Sequence, residues 1–286
     1  MASPLSRFVQ SATKFLCAHR PHRTRLQALM SQTSKFVKKL ASNDRATREA
    51  TFKALSKYLS SRNAAKLDTL EMEKLWKGLY FSMWFCDRPG PQQRLAESLG
   101  LLYSSHIPVS AFPRFVEAFW VIMIREWPTI DQWRIDKYYL LIRRVVRHCF
   151  RQLKQQNWDS NLVQGYLEAL EKHPLSGNQS VGTALPYHLC DIWMDELERV
   201  VFEKDNEENE EQDEEQDDEK VLEKLENVPV DTLVEPFAKL SKSAALKTLR
   251  EKCKNEVLED KRYQKWLTQN NSDEEEDVDE EEWKGF

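Results

Sequence analysis

The sequence predicts an all-α protein: an irregular α-solenoid, or HEAT-like helical stack, with an acidic disordered linker and tail. Three observations predict it. Only seven glycines occur in 286 residues, and charged residues make up 31% of the chain. Few glycines with many Leu, Lys, Glu, Arg and Ala favour helix over strand. No segment alternates apolar and polar residues with period two; apolar residues recur at spacings of three and four. The periodic stretches run about 15 to 20 residues and are joined by short turns, as in stacked antiparallel helices. Strict self-similarity at one period is not visible, so the stack is expected to be irregular.

Residues 1–33 read as a basic, disordered arm. The first thirty residues contain no acid and are rich in Arg, Ser and Ala. That composition suits a mitochondrial transit peptide. It also suits an arm that touches nucleic acid, or a stretch upstream of a start at Met30. The helical reading begins after Met30 in each case. Removing residues 1–29 is therefore expected to leave thermal stability nearly unchanged.

Residues 34–203 read as a helical, repeat-like domain. A short helix from Ser34 turns at Asn43 and Asp44, which have capping chemistry, into a helix carrying Phe52, Leu55 and Leu59. Residues 68–86 follow, with Leu70, Leu75, Leu79 and Met83 as an apolar stripe. Within the stretch LWKGLYFSMWFCDRP, Trp76, Leu79, Tyr80, Met83 and Trp84 share one helical face. That spacing predicts core. A base-stacking platform would interleave cations, and only Lys77 and Arg88 are near. Pro89 and Pro91 are expected to stop this helix.

Helices are then expected over 92–103, 110–127 (Phe112, Phe115, Phe119, Ile122 and Met123 inward) and 131–155. A further one is capped by Asn157 or Asp159, and another covers 187–203. Residues 203–219 hold 12 acids in 17 positions, so 204–220 is expected to be a disordered acidic linker. Residues 221–268 are expected to fold back onto the stack through Val234, Phe237, Leu240, Leu246, Leu249 and Trp266. An acidic tail, 269–286, ends the chain.

Charge is unevenly divided. Residues 1–160 carry a net +15 and residues 161–286 a net −20. A basic front and an acidic back predict surfaces with different partners. The helix DKYYLLIRRVVRHCFRQLK concentrates the basic signal. At about 100° per residue, Lys137, Arg143, Arg144, Arg147, His148, Arg151 and Lys154 share one arc. Tyr138, Ile142, Val145, Val146, Cys149 and Leu153 share the opposite one. The cationic arc suits RNA phosphate or an acidic protein surface. It equally suits a face paired with Asp and Glu of neighbouring helices. Arg88, in the Asp87-Arg88-Pro89 corner, is a second candidate contact. Ser272, followed by DEEED, is a candidate site for an acidophilic kinase.

Catalytic and cofactor signatures are missing. The sequence has no P-loop, GxGxxG, HExxH or GxSxG motif. No enzyme activity, cofactor, metal or small-molecule substrate is expected. The five cysteines, Cys17, Cys86, Cys149, Cys190 and Cys253, form no CxxC and are expected as free thiols of a reducing compartment. His188 and Cys190 are the nearest approach to a metal pair and read as an ordinary helix pair. No apolar run reaches the roughly 18 to 20 residues that span a bilayer, so no membrane partner is expected.

The segment KLWKGLYFSMWFCDRPGPQQRLAESL closely resembles the signature of the eukaryotic ribosomal RNA-processing protein one family. WRIDKYYLLIRRVVR at 133–147, VGTALPYHLCDIWMDEL at 181–197 and EPFAKLSKSAALKTLREKCKNEVLED at 235–260 agree with it. The resemblance runs from about Ser34 to Trp266. The compact chain is similar to fungal members, without the long basic tail of animal relatives. The resemblance implies a non-catalytic nucleolar factor that acts on early large-subunit (60S) precursors and is needed for processing of the ribosomal RNA. Its implied partners are other assembly factors and ribosomal proteins, with the precursor RNA itself as the alternative. It implies work in the nucleus and nucleolus, against the mitochondrial reading of the arm.

Overall fold

In the computed structural model, which describes residues 33–61, 64–203, 224–225 and 227–272, all regular elements are helical. The arm before Thr33, the acidic linker and the tail beyond Ser272 lie outside the described residues. Helix α1 covers 33–40. Three aspartates start helices in sequence-local fashion. Asp44 accepts from the Thr47 N–H at 2.7 Å and caps α2 (Arg45–Leu59). Asp68 accepts from Glu71 at 2.7 Å and caps α3 (Thr69–Trp84). Each such cap contributes about 1 kcal/mol.

The prolines act differently from expectation. Helix α3 ends at Trp84, before either proline. Pro89 instead opens α4 (Pro89–Leu101), and Pro91 sits in its first turn. First-turn N–H groups have no intrahelical acceptor, so proline loses nothing there. A π-turn, Leu102–His106, closes α4, with Ile107 N–H donating to the Leu102 carbonyl at 2.8 Å. Helices α5 (Phe112–Glu126), α6 (Ile135–Gln155) and α7 (Ser160–Lys172) follow. Asp159 caps α7 through the Leu162 N–H at 2.9 Å. Helix α8 (Ala184–Val201) starts earlier than residue 187, because Pro186 again falls in a first turn. After the linker come α9 (Val230–Ser243), α10 (Lys247–Cys253), a second π-turn (Lys254–Leu258) and α11 (Lys261–Ser272).

From α3 to α8 each helix packs chiefly on the one two further along, while α9 and α10 pack most closely on each other. Helices α3, α5, α7 and α9 form one row; α4, α6, α8 and α10 form the other. Two-row stacking is the geometry helical repeats use to share one core between neighbours. The rows meet over aromatic side chains. Trp76 lies 4.8 Å from Phe119, 5.3 Å from Phe115 and 5.9 Å from Tyr103, ring to ring. Further along, Trp193 meets Phe150 at 4.9 Å and Phe237 at 5.0 Å. Trp76, Leu79, Tyr80 and Met83 are all buried, as their spacing predicts.

The C-terminal helices are built into this stack. Phe237, Leu249 and Trp266 are buried, and Trp266 lies against Phe202 at 5.9 Å. Cys190 on α8 and Cys253 on α10 bring their sulfurs to 3.8 Å without a bridge. Two expected core positions are corrected: Leu70 and Leu246 are each 44% exposed. Leu70 falls in the outward first turn of α3, and Leu246 flanks the start of α10. Among the described residues no single helix is long and apolar enough to cross a membrane.

Candidate functional site

The cationic arc of α6 is covered, so it is not an open stripe. Helix α6 is an inner member of its row, and α4 and α8 pack on it from both sides. The α8 side supplies Glu196, whose side chain is fully buried. It accepts from Arg147 Nε at 2.5 Å and Nη2 at 3.1 Å, and from Arg143 Nε. Arg143 also reaches Asp195 at 2.9 Å. Lys154 donates to the carbonyls of Val200 and Val201 at 2.9 and 3.3 Å, closing the C-terminal end of α8.

The α4 side supplies Glu97. It lies 3.1 Å from Arg144, 2.9 Å from His148 Nε2 and 3.5 Å from Arg151, which also holds Glu203. Ser104 Oγ meets the other ring nitrogen of His148 at 2.8 Å. Burial pulls the His148 pKa below its ordinary value, and Arg151 adds to this, against the Glu97 hydrogen bond. The neutral ring then donates to Glu97 and accepts from Ser104. Contact between α4 and α6 is close enough that a Cβ on Gly100 would meet His148 Cδ2 at 2.4 Å and the Arg144 carbonyl at 3.0 Å.

Lys137 starts the arc and is equally occupied. It donates to the Trp84 and Cys86 carbonyls at 2.8 and 2.9 Å and lies 3.7 Å from Asp87. Burial lowers its pKa, and Asp87 offsets part of that. Arg48, from α2, donates to the Phe85 carbonyl at 3.2 Å. Two cations thus neutralise the C-terminal end of α3 and fix the corner at 85–89 from opposite sides.

That corner opens outward onto a groove of about 620 Å³ between α2 and α4. Phe52, Phe85 and Leu95 give it apolar walls. Arg45, Arg48, Lys53, Arg88 and Arg94 line it against only Glu49 and Asp87. Both acids are already engaged, Glu49 by Arg45 at 2.6 Å and Asp87 by Lys137. Among the described residues Lys53, Arg88 and Arg94 have no ion-pair partner, and all three are exposed. Cys86 sits at the edge, its thiol pKa pushed up by burial. Among the described residues no three of His, Cys, Asp and Glu group as metal ligands would.

Beside the same corner, Trp133 is 85% exposed. Its backbone N–H donates to Asp131 Oδ1 at 3.0 Å in the turn before α6, while Arg134 lays its guanidinium 4.6 Å from the Trp84 ring. An indole held outward by an ordered turn is the residue type that anchors protein interfaces.

Of the contact residues proposed from sequence, Arg88 alone lines this groove. Lys137, Arg143, Arg144, Arg147, Arg151 and Lys154 make contacts within the molecule. Ser272 ends α11, and the surroundings of its side chain lie outside the described residues. Sequence reading missed Arg45, Lys53, Arg94 and Trp133. A signal existed for the first two: residues 33–61 carry seven Lys and Arg against two acids.

Comparison with known proteins fits this architecture into a family. A family model described as nucleolar protein, Nop52, matches residues 31–285. Ribosomal RNA processing protein 1 homolog B of Homo sapiens is 34% identical over 176 residues, covering 60% of this chain and 23% of that protein. The Caenorhabditis elegans ribosomal RNA processing protein 1 homolog is 33% identical over 164 residues, 57% of this chain and 41% of its own. The Dictyostelium discoideum homolog is 24% identical over 192 residues, 61% of this chain and 38% of its own. The match thus spans less than half the length of each of these three relatives. The family model, over residues 31–285, takes in the helices of both rows and the corner that carries the groove, and on that extent the chain belongs to the Nop52 family.

Proposed function

We propose that this chain is a non-catalytic factor in ribosomal RNA processing, acting in the nucleolus on early large-subunit precursors as a helical docking scaffold. Its partners would be other assembly factors and ribosomal proteins. The names of the relatives support the process, and the family's description as nucleolar supports the compartment. The observation that carries the scaffold reading is the consumption of the α6 cations by Glu196, Glu97 and backbone carbonyls. What faces outward instead is an aromatic anchor, Trp133, and a mixed groove. That combination suits protein contacts, whose centres are aromatic and arginine-rich.

Replacing Trp133 by Ala tests it. Thermal stability should stay within about 0.5 kcal/mol, because the side chain is exposed. Co-sedimentation with large-subunit precursors should fall several-fold, and unprocessed precursor RNA should accumulate. Unchanged sedimentation would remove Trp133 as the anchor. The second reading is direct contact with precursor RNA through the α6 face. It requires Arg143 and Arg147 to leave Glu196, at the cost of a buried unpaired carboxylate. Ultraviolet crosslinking in cells separates the two: crosslinks to ribosomal RNA from α6 would favour the RNA reading.

A further inference from the structure

We propose that the groove between α2 and α4 docks an acidic segment of a partner protein, one that carries carboxylates on both sides of a single bulky apolar side chain. The inference rests on the docking-scaffold reading and names the chemistry of one partner segment. Charge complementarity carries it. Lys53, Arg88 and Arg94 are exposed and have no ion-pair partner among the described residues. Glu49 and Asp87, the acids of the lining, are held by Arg45 and Lys137. Arg48 is committed as well, donating to the Ser42, Asn43 and Phe85 carbonyls at 2.8, 2.9 and 3.2 Å. A visiting carboxylate therefore meets three cations for which no acid of the groove competes.

The two helices run side by side in the same direction. Arg48, early in α2, reaches the Phe85 carbonyl just ahead of α4. Ser60, which caps the end of α2, meets His106 at the end of the π-turn that closes α4, at 2.8 Å. The groove is thus a trough with two distinct ends. Arg88 precedes α4, and Arg94 lies back along it, since a Cβ on Gly90 would stand 3.5 Å from its Nη1. Two cations therefore gather at the corner end. Lys53 comes five residues after Arg48, about 8 Å further along α2. Phe52, Phe85 and Leu95 supply apolar walls along this stretch. About 8 Å is two to three residues of an extended chain. Carboxylates at the corner, an apolar side chain against the walls and a further carboxylate at Lys53 match that spacing. A volume of about 620 Å³ holds the few side chains this takes.

The rings argue for peptide over single-stranded RNA. Bases stack on open ring faces. Phe85 has Phe81 stacked on it at 6.3 Å and the Arg48 guanidinium 5.8 Å over its ring, and Phe52 is half-buried. Neither stands free as a platform. An apolar side chain needs no such face, because it gains from any apolar surface that it removes from water.

Titration of the full chain with a synthetic peptide decides it. The probe is acetyl-Gly-Asp-Glu-Phe-Asp-Glu-Gly-amide, added up to about 1 mM to dye-labelled protein. Saturable binding should appear. It should weaken by about tenfold or more when alanine replaces the phenylalanine of the peptide, and when asparagine and glutamine replace its acids. The protein variants Lys53→Glu and Arg88→Glu/Arg94→Glu should weaken it as much. These side chains are exposed, and Arg88 makes no side-chain cap bond to α4, so melting temperatures should match the parent's. If the double variant melts lower, Arg88→Gln/Arg94→Gln is read in its place. Trp133→Ala should bind the peptide as the parent does. Four results overturn the proposal. The first is no binding up to the highest concentration. The second is equal binding of the phenylalanine and alanine peptides, which would reduce the groove to diffuse charge. The third is parental binding by the groove variants, or its loss in Trp133→Ala, either of which would move the site elsewhere. The fourth is an oligouridine that binds more tightly than the peptide and weakens in the same groove variants, which would assign the groove to single-stranded nucleic acid. The titration uses no ribosomal particle. Its failure would leave the scaffold reading at Trp133 standing, and unchanged co-sedimentation of Trp133→Ala would remove that anchor without touching the groove.

Discussion

Glu196 shows best how single residues set this molecule's character. It is buried with two arginines, Arg143 and Arg147, on its two oxygens. Replacing Glu196 by Ala leaves Arg147 buried without a counter-charge and should cost about 3–5 kcal/mol, read from denaturant melts. A loss below about 1 kcal/mol would show that water or Asp195 takes over. His148 gives the molecule a pH response. Its folded pKa lies below the ordinary value of 6.5, chiefly because of burial. As pH falls, the unfolded chain therefore takes up the proton first. Its stabilising effect is complete above about pH 6.5 and fades as pH falls through the folded value. His188 is shifted the same way by burial, against the Tyr139 carbonyl it bonds. A His148→Gln variant should lose melting temperature less steeply than the parent between about pH 7 and pH 5. Equal slopes would show that His148 does not titrate with folding. From sequence, the apolar arc of α6 was readable by spacing alone. The covering of its other arc was not, because Glu196 lies 49 positions from Arg147 and nothing local marks it as the partner.

Among the elements, the α4–α6 pair is the tightest junction, and Gly100 is what permits it. Replacing Gly100 by Ala would gain about 1 kcal/mol of helix propensity. The added Cβ would also stand 2.4 Å from His148 and 3.0 Å from a carbonyl that cannot move without bending α6. Overpacking of this kind costs about 1–3 kcal/mol. With contacts this close the steric term should win, giving a net loss of up to about 2 kcal/mol by chemical denaturation, with the His148 pH response disturbed as well. A stabilised variant would refute the close approach. Helix existence and inward faces were legible here, since each amphipathic run carried its own period. Helix starts were less so. A proline read as a stop is also a good first residue, and only the neighbouring helix decides between the two roles at Pro89.

From α3 onward the described residues form two rows of helices sharing one core, with α9 and α10 closing the rows against each other. Phe237 joins the late helices to the earlier ones through Trp193. A Phe237→Ala variant should lose about 3–5 kcal/mol and still unfold in one transition. Two separated steps would show residues 227–272 to be an independent unit. The row order was not readable from sequence, because packing of a helix on the second one along is a long-range choice without a fixed repeat to announce it. The groove was equally hidden, being made by helices whose charges are ordinary one at a time. The Glu196 cluster, finally, constrains how this fold can change over generations. Apolar replacements of the whole cluster could match or exceed its stability. Any path there must first delete one charge and strand another. That single step removes several kcal/mol from a total of about 5–15. The cluster is therefore a ratchet: lineages that acquired it can refine it, but can scarcely walk back out one substitution at a time.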